Sequence, residues 1–198
     1  MDELLAFGDR AEELDDYAKR IVVAAEAQLV EFGLERTSLD RIAAAAGVSR
    51  GTLFRRFATR DGLMGAVIDR QVRLVIAEID AQVATGATPE ERLLNGVRAA
   101  IGAVTGHRLL QRLLETDRDE MLRLLNSDGN PMFTVGRAYV AAQIAAARDD
   151  GMPIAGDPEI LAELLVRLAH SLLLFRQTSL PLHDEAGYAA YVLPLLRG

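Results

Sequence analysis

The chain has no cysteine, a single lysine, and no uninterrupted apolar run long enough to cross a membrane. Without cysteine there can be no disulfide framework, no thiolate metal site and no cysteine nucleophile, and a reducing cytoplasm is the natural compartment. No membrane association is expected, because a spanning helix needs about twenty apolar residues in succession. The opening MDELLAFGDRAEELDD is too acidic for a secretory signal. Strand signals are scarce as well: β-branched residues are scattered, and no two-residue hairpin turn separates alternating runs. No P-loop, G-x-G-x-x-G, H-E-x-x-H or D-D-x-x-D string occurs, so no catalytic residue, metal or cofactor is expected. His107, His170 and His183 stand far apart with no ligand spacing. The run Asp117-Arg118-Asp119-Glu120 could hold Mg²⁺, but its adjacent arginines make a solvated helix face the expected reading.

What is present is helix. The 198 residues are half hydrophobic, enough for a sizeable core in one or two domains. Long stretches rich in Ala, Leu, Arg and Glu keep a helical period, which predicts an all-α fold. Asp15-Asp16 precedes a helix with Tyr17, Ile21, Ala25, Leu29 and Phe32 at helical spacing, closed by Gly33 with Leu34 folding back. A longer helix is predicted from Asp61 to about Val83. The stretch ATGATPEERL then restarts the pattern, with Thr88 as cap, Pro89 at the first helical position and Glu91 three residues after the cap. A small N-terminal unit, 1–64, is thereby set apart from a larger unit, 65–198, with the helix 61–83 linking them. Further helices are expected over 89–105, in two short pieces over 107–126, and over 132–149, 159–179 and 184–196. Apolar residues cover more than one face of 132–149 and 159–179, which calls for burial on two sides. Ala141, Ala142, Ala145 and Ala146 would let a second copy approach closely; a helix wholly inside the monomer is the alternative.

Between Thr37 and Phe57 the chain reads TSLDRIAAAAGVSRGTLFRRF. Thr37 and Asp40 have capping-box spacing, and Leu39, Ile42, Ala43 and Ala46 form a buried stripe. Ala43 is small where two helices cross, Gly47 supplies a positive φ, and Val48 plugs the angle between them. Ser49 caps a second helix held by Leu53 and Phe57, so its N-terminal amides can face a phosphate. Arg50, Gly51, Thr52, Arg55 and Arg56 remain outside, where arginine can meet guanine O6/N7 and threonine a thymine methyl. Arg60 is placed for a backbone phosphate. The formal charge of the chain is −7, yet residues 36–60 hold six arginines against one acid. A compact basic face on an acidic body confines phosphate contacts to one place.

From about Tyr17 to Met64 the sequence resembles the N-terminal domain of the TetR family of bacterial transcriptional repressors. That pattern, G-x-x-x-T-(S/T)-(hydrophobic)-x-x-I-A-x-x-A-G-V-S-x-G-T-L-Y-x-(H/Y)-F followed by a basic-acidic pair and leucine, is met by Gly33, 37–57, Arg60-Asp61 and Leu63. The resemblance implies an all-α, Ω-shaped homodimer. It further implies recognition of a pseudo-palindromic double-stranded operator by the third helix, dimerisation through the last two long helices, and release when a small molecule enters the C-terminal domain. DNA contacts are then expected from Thr37, Ser38, Ser49, Arg50, Gly51, Thr52, Phe54, Arg55, Arg56 and Arg60. Two positions depart from the family: Phe54 stands where tyrosine is usual and lacks the hydroxyl, and Arg56 replaces His or Tyr.

For the small molecule, polar residues set among the C-terminal helices are the candidates: His107, Arg137, Tyr139, Gln143, His170 and Arg176. An apolar pocket with a few polar anchors suits a hydrophobic or amphipathic inducer such as a drug, lipid or acyl thioester. A ligand-responsive repressor is therefore expected. The alternatives are a ligand-independent or activating regulator, and an all-α small-molecule binding protein or enzyme.

Overall fold

Ten helices occur among the residues described by the computed structural model, which are 14–127, 130–175, 177–181 and 185–197. Helix α1 (Asp16–Phe32) starts where the Asp15 carboxylate accepts the Ala18 N–H at 2.8 Å and ends at Gly33 with φ 77°. Its inner face is Ala18, Ile21, Val22, Ala25 and Leu29. Tyr17, expected on that face, is instead half exposed, with the Arg20 guanidinium 5.8 Å from its ring. Helices α2 (Leu39–Ala46) and α3 (Arg50–Arg56) complete the N-terminal unit, and α4 (Arg60–Val83) leaves it for the C-terminal body. Ile21, Ile42, Leu53 and Leu63 are fully buried in one core with Phe57 and Val67, each such aliphatic side chain contributing about 1.5–3 kcal/mol.

The body comprises α5 (Pro89–Gly106), α6 (Arg108–Thr116), α7 (Arg118–Leu125), α8 (Pro131–Asp149), α9 (Pro158–Leu174) and α10 (Glu185–Arg197). The Thr88–Glu91 capping box forms as read from the sequence, with Glu91 N–H donating to Thr88 Oγ1 at 3.1 Å. Helix α4 packs along α5, and α9 along α8. Their main core gathers Leu93, Ala141, Ile144, Ala162, Val192 and Leu196. Ala141 thus faces inward rather than toward a second copy. Helix α9 stops at Leu174, short of the expected residue 179: Phe175 is extended (φ −121°, ψ 97°), and beyond it Thr178 Oγ1 takes the Leu180 N–H at 3.1 Å. That local turn competes with the helix, and Pro181 disfavours helical geometry in the residue before it.

A polar joint ties the N-terminal unit to α6 and α7 of the body, in addition to the Arg70–Glu26 ion pair between α4 and α1. Asp117, between α6 and α7, accepts the N–H of Leu34 at 2.8 Å and of Glu35 at 3.1 Å, so it caps the loop after α1. The expected solvated acidic face is therefore wrong at this residue, which is only 9% exposed. Gly33 makes the approach possible: a Cβ there would lie 2.5 Å from Thr116 Oγ1 and 2.8 Å from Asp117 Oδ2. Arg112 of α6 adds a bond to the Glu31 carbonyl at 3.0 Å, and Leu109 reaches into the N-terminal core.

Burial pushes the Asp117 pKa upward, but the Thr116 hydroxyl, the Leu34 and Glu35 amides and the Arg112 charge together hold it below the ordinary carboxylate value. A lowered folded-state pKa stabilises the fold above the unfolded value and loses that contribution as pH falls through the folded one. Asp117→Ala should cost about 1–3 kcal/mol at pH 7 by leaving two amides unpaired. In urea melts at stepped pH, that deficit should hold down to about pH 4 and narrow below it.

Candidate nucleic-acid interface and interior cavity

The helix pair is held in register by groups outside it. Gly47 adopts the left-handed conformation (φ 63°, ψ 38°), and Val48 N–H returns to the Ala43 carbonyl at 3.0 Å. Arg20 of α1 donates to the Ala46 carbonyl at 2.5 Å and the Gly47 carbonyl at 3.3 Å. A cation therefore sits on the exposed carbonyls that end α2, where the helix dipole favours it. A lone arginine on α1 carried no sequence signal for this role. Ser38, not Thr37, caps α2, taking the Arg41 N–H at 3.3 Å. The Thr37 hydroxyl turns inward and donates to the Gly33 carbonyl at 2.6 Å, with the Gln28 carbonyl 3.2 Å away. At 6% exposure its side chain has no face toward a duplex, which corrects both roles expected of it.

Helix α3 is capped by Ser49, whose Oγ accepts the Thr52 N–H at 3.0 Å and lies 2.9 Å from Thr52 Oγ1. Arg55 donates to that Oγ1 at 3.2 Å, so Ser49, Thr52 and Arg55 form one hydrogen-bonded set on the outer surface. Arg50 lies 3.2 Å from Asp40 of α2 and 5.5 Å from the Phe54 ring centre. Both partners of that pair are 65% exposed, so it is worth about 0–1 kcal/mol and can yield to a phosphate or base at little cost. A Cβ on Gly51 would meet only Ser49 Oγ at 3.8 Å, which leaves open space beside these side chains.

Two arginines read as DNA contacts also brace the unit. Arg60 donates to the Leu34 carbonyl at 2.5 Å and lies 3.4 Å from that of Thr37, tying the start of α4 to the α1–α2 loop. Arg56 pairs with Asp15, the cap of α1. Hydrogen bonds with Ala18, and the charge of Arg56, keep the Asp15 carboxyl below its ordinary pKa despite some desolvation. The residues left open on this outer surface are Ser38, Ser49, Arg50, Gly51, Thr52, Phe54 and Arg55.

The body encloses two apolar cavities of about 150 and 130 Å³ that share Ile79, Ala100, Tyr139, Val140, Val166 and Ala169 as walls. His107 and His170 line the larger one, Gln143 the smaller, and Tyr139 both. Burial lowers the pKa of His107 against the opposing pull of Glu26 and Glu78. Burial likewise lowers that of His170, aided by Arg167 and opposed by its bond to Val166. The Tyr139 hydroxyl donates to Asp80 Oδ1 at 2.5 Å, and burial together with that carboxylate raises its pKa. Arg137 is not on either wall: it pairs with Glu159 on the outside of α8 and α9. Arg176 and His183 lie outside the described residues. Gln71, also on the larger cavity's wall, was missed because a lone glutamine in an α4 pattern carries no chemical signature.

A capped helix pair with an open arginine-threonine face, braced against a helical body, defines a helix-turn-helix DNA-binding protein. Residues 21–67 match the family described as bacterial regulatory proteins, tetR family. The chain is 32% identical over 186 residues to the uncharacterised HTH-type transcriptional regulator Rv1255c of Mycobacterium tuberculosis, covering 90% of this chain and 85% of that protein. Its fold is similar to a TetR-family transcriptional regulator from Pectobacterium atrosepticum, with TM-score 0.68, 22% identity, and 91% and 92% of the two chains covered. It is also similar to AibR in complex with isovaleryl coenzyme A and operator DNA, with TM-score 0.56, 18% identity, and 92% and 99% covered. The chain belongs to the TetR family of bacterial transcriptional regulators, and its helix-turn-helix is that of a DNA-binding transcription factor. No helix among the described residues is long and apolar enough to cross a membrane.

The division between braces and readers can be measured without DNA. Arg60→Ala should lower stability by about 1 kcal/mol after allowance for its exposure, a drop of roughly 2–4 °C in thermal midpoint. Arg55→Ala, by contrast, should leave the midpoint within about 1 °C, as expected for a surface site.

Proposed function

We propose that this regulator is a homodimeric repressor that leaves its operator when a small apolar molecule occupies the body's cavities. One observation carries the reading: α6 lines the larger cavity with Leu109, Leu110 and Leu113, and ends at the Asp117 joint that holds the loop after α1. Anything that displaces α6 from within therefore acts on the polar contact that orients the reading head. The ligand need only prefer one setting of α6 over the other, shifting the population toward a dimer whose α3 helices no longer match successive major grooves. AibR, whose structure holds both isovaleryl coenzyme A and operator DNA, supports a body that takes a small molecule.

On this reading Ser38, Ser49, Arg50, Gly51, Thr52, Phe54 and Arg55 meet the duplex, with Arg56 reaching a phosphate if it releases Asp15. The DNA-binding unit ends inside α4, near residues 64–67, and the remainder binds ligand and the second copy, within the cytoplasm where the chromosome lies. The dimer is supported by apolar side chains left outside: Ile160, Leu164 and Phe175 along α9 and Tyr191 on α10 are 60–66% exposed. Apolar residues in one stripe with no cover mark an interaction face, and a protein two-fold suits a pseudo-palindromic site.

A gel shift on the DNA upstream of the protein's own gene, repeated over a salt series, tests the DNA contacts. Log affinity should fall with a slope of several units against log salt, and Arg55→Ala and Thr52→Ala should each weaken binding by roughly tenfold. Unchanged binding in both variants would remove α3 from the interface. Leu164→Arg should convert the dimer to monomer in light scattering with little loss of helix, since the side chain is already outside the monomer core.

A further inference from the structure

Two half-buried histidines face the larger cavity with their tautomers set by the backbone. His107 Nδ1 accepts the Leu110 N–H at 3.3 Å, which leaves the ring proton on Nε2. His170 Nδ1 lies 3.0 Å from the Val166 carbonyl, an acceptor only, so Nδ1 carries the proton and Nε2 keeps a lone pair. Burial favours the neutral form of both rings. The wall thus offers one nitrogen able to donate and one able to accept. A third polar group is unsatisfied: the Gln71 side-chain nitrogen is buried without a hydrogen-bond partner, a state that native interiors rarely leave uncompensated.

No charged side chain lines the larger lobe, and Arg92 on the smaller one is paired with Asp150. Tyr139, whose hydroxyl could have served a ligand, is already spent on Asp80, and the charges felt at His107, Glu26 and Glu78, are both negative. A carboxylate ligand would therefore be desolvated without a countercharge, and an ammonium group would find no carboxylate on the wall. Each lobe is close to the size that holds one benzene-like group.

We propose that the cavity binds an uncharged, mainly hydrocarbon molecule carrying one neutral group that both donates and accepts, a hydroxyl being the simplest, held by His107, His170 and Gln71. This rests on the reading of the cavity as the regulator's ligand site. The rival is an anionic amphiphile. Its head would sit in the neighbouring recess lined by Arg98 and Arg118, which shares Ile101 and Leu180 with the smaller lobe.

Four probes of matched length separate these outcomes: 1-octanol, 1-methoxyheptane, octanoate and octylammonium, each titrated into the intact purified protein at pH 7.5 and read by calorimetry. 1-Octanol should bind at least tenfold more tightly than either charged probe, and several-fold more tightly than the ether, which has no proton to give His170. His170→Leu should remove most of the advantage of the alcohol over the ether while leaving ether binding within about twofold, whereas Gln71→Leu, which removes a donor that both oxygens can use, should weaken both several-fold. Octanoate or octylammonium binding as tightly as 1-octanol would overturn the neutral-ligand proposal while keeping the cavity as a ligand site. Binding of none of the four would instead overturn the cavity as a ligand site, and this proposal with it.

Discussion

The loop that follows α1 is held against the body by the Asp117 carboxylate. Asp117 receives the Leu34 and Glu35 amides from the loop that follows α1, and the rest of the arrangement is built so that it can. Gly33 lacks the side chain that would collide with Thr116 and Asp117, and Arg112 holds the Glu31 carbonyl beside them. A charge-assisted bond to backbone amides is short-range and directional, so a small displacement of α6 changes it where an apolar contact would only slide. On the proposed reading, a signal arising in the body would change the angle of α1 and, through the Arg20 and Arg60 braces, the setting of α2 and α3.

Arginine serves two opposite purposes in the N-terminal unit. Arg20 and Arg60 spend their guanidinium groups on backbone carbonyls, which stiffens the unit, while Arg56 pairs with Asp15 in a half-exposed contact. Arg50 and Arg55 keep loose, exposed partners, Asp40 and Thr52, that cost little to abandon. Rigid support beneath mobile contacts suits a surface that must present the same geometry to each phosphate and base it meets. The acidic remainder of the chain discourages DNA from lying anywhere else.

Much of this was legible in the residues. Helical period, the Thr88 box, the Gly47 turn and the Ser49 cap are local signals, because a cap or a positive φ is set by neighbours three or four positions away. What was not legible depends on partners far along the chain. Thr37 looks like a cap until Gly33 and Gln28 claim its hydroxyl. Arg60 resembles a phosphate contact until the Leu34 carbonyl is found 26 residues away, and Asp117 resembles a solvated acid until the loop 83 residues earlier folds onto it. The cavity was only half readable: His107, Tyr139, Gln143 and His170 were placed by being polar among apolar neighbours. Arg137 met the same description but turns outward to Glu159.

The central claim, that Asp117 holds the loop between α1 and α2, is tested most directly by amide hydrogen exchange at Leu34 and Glu35. Both amides should exchange far more slowly than an unstructured peptide in the wild-type protein. They should lose that protection in Asp117→Ala, while Gly33, bonded to the Leu29 carbonyl at 2.9 Å, keeps its own. Fast exchange at Leu34 and Glu35 in the wild type, with Gly33 protected, would contradict the account.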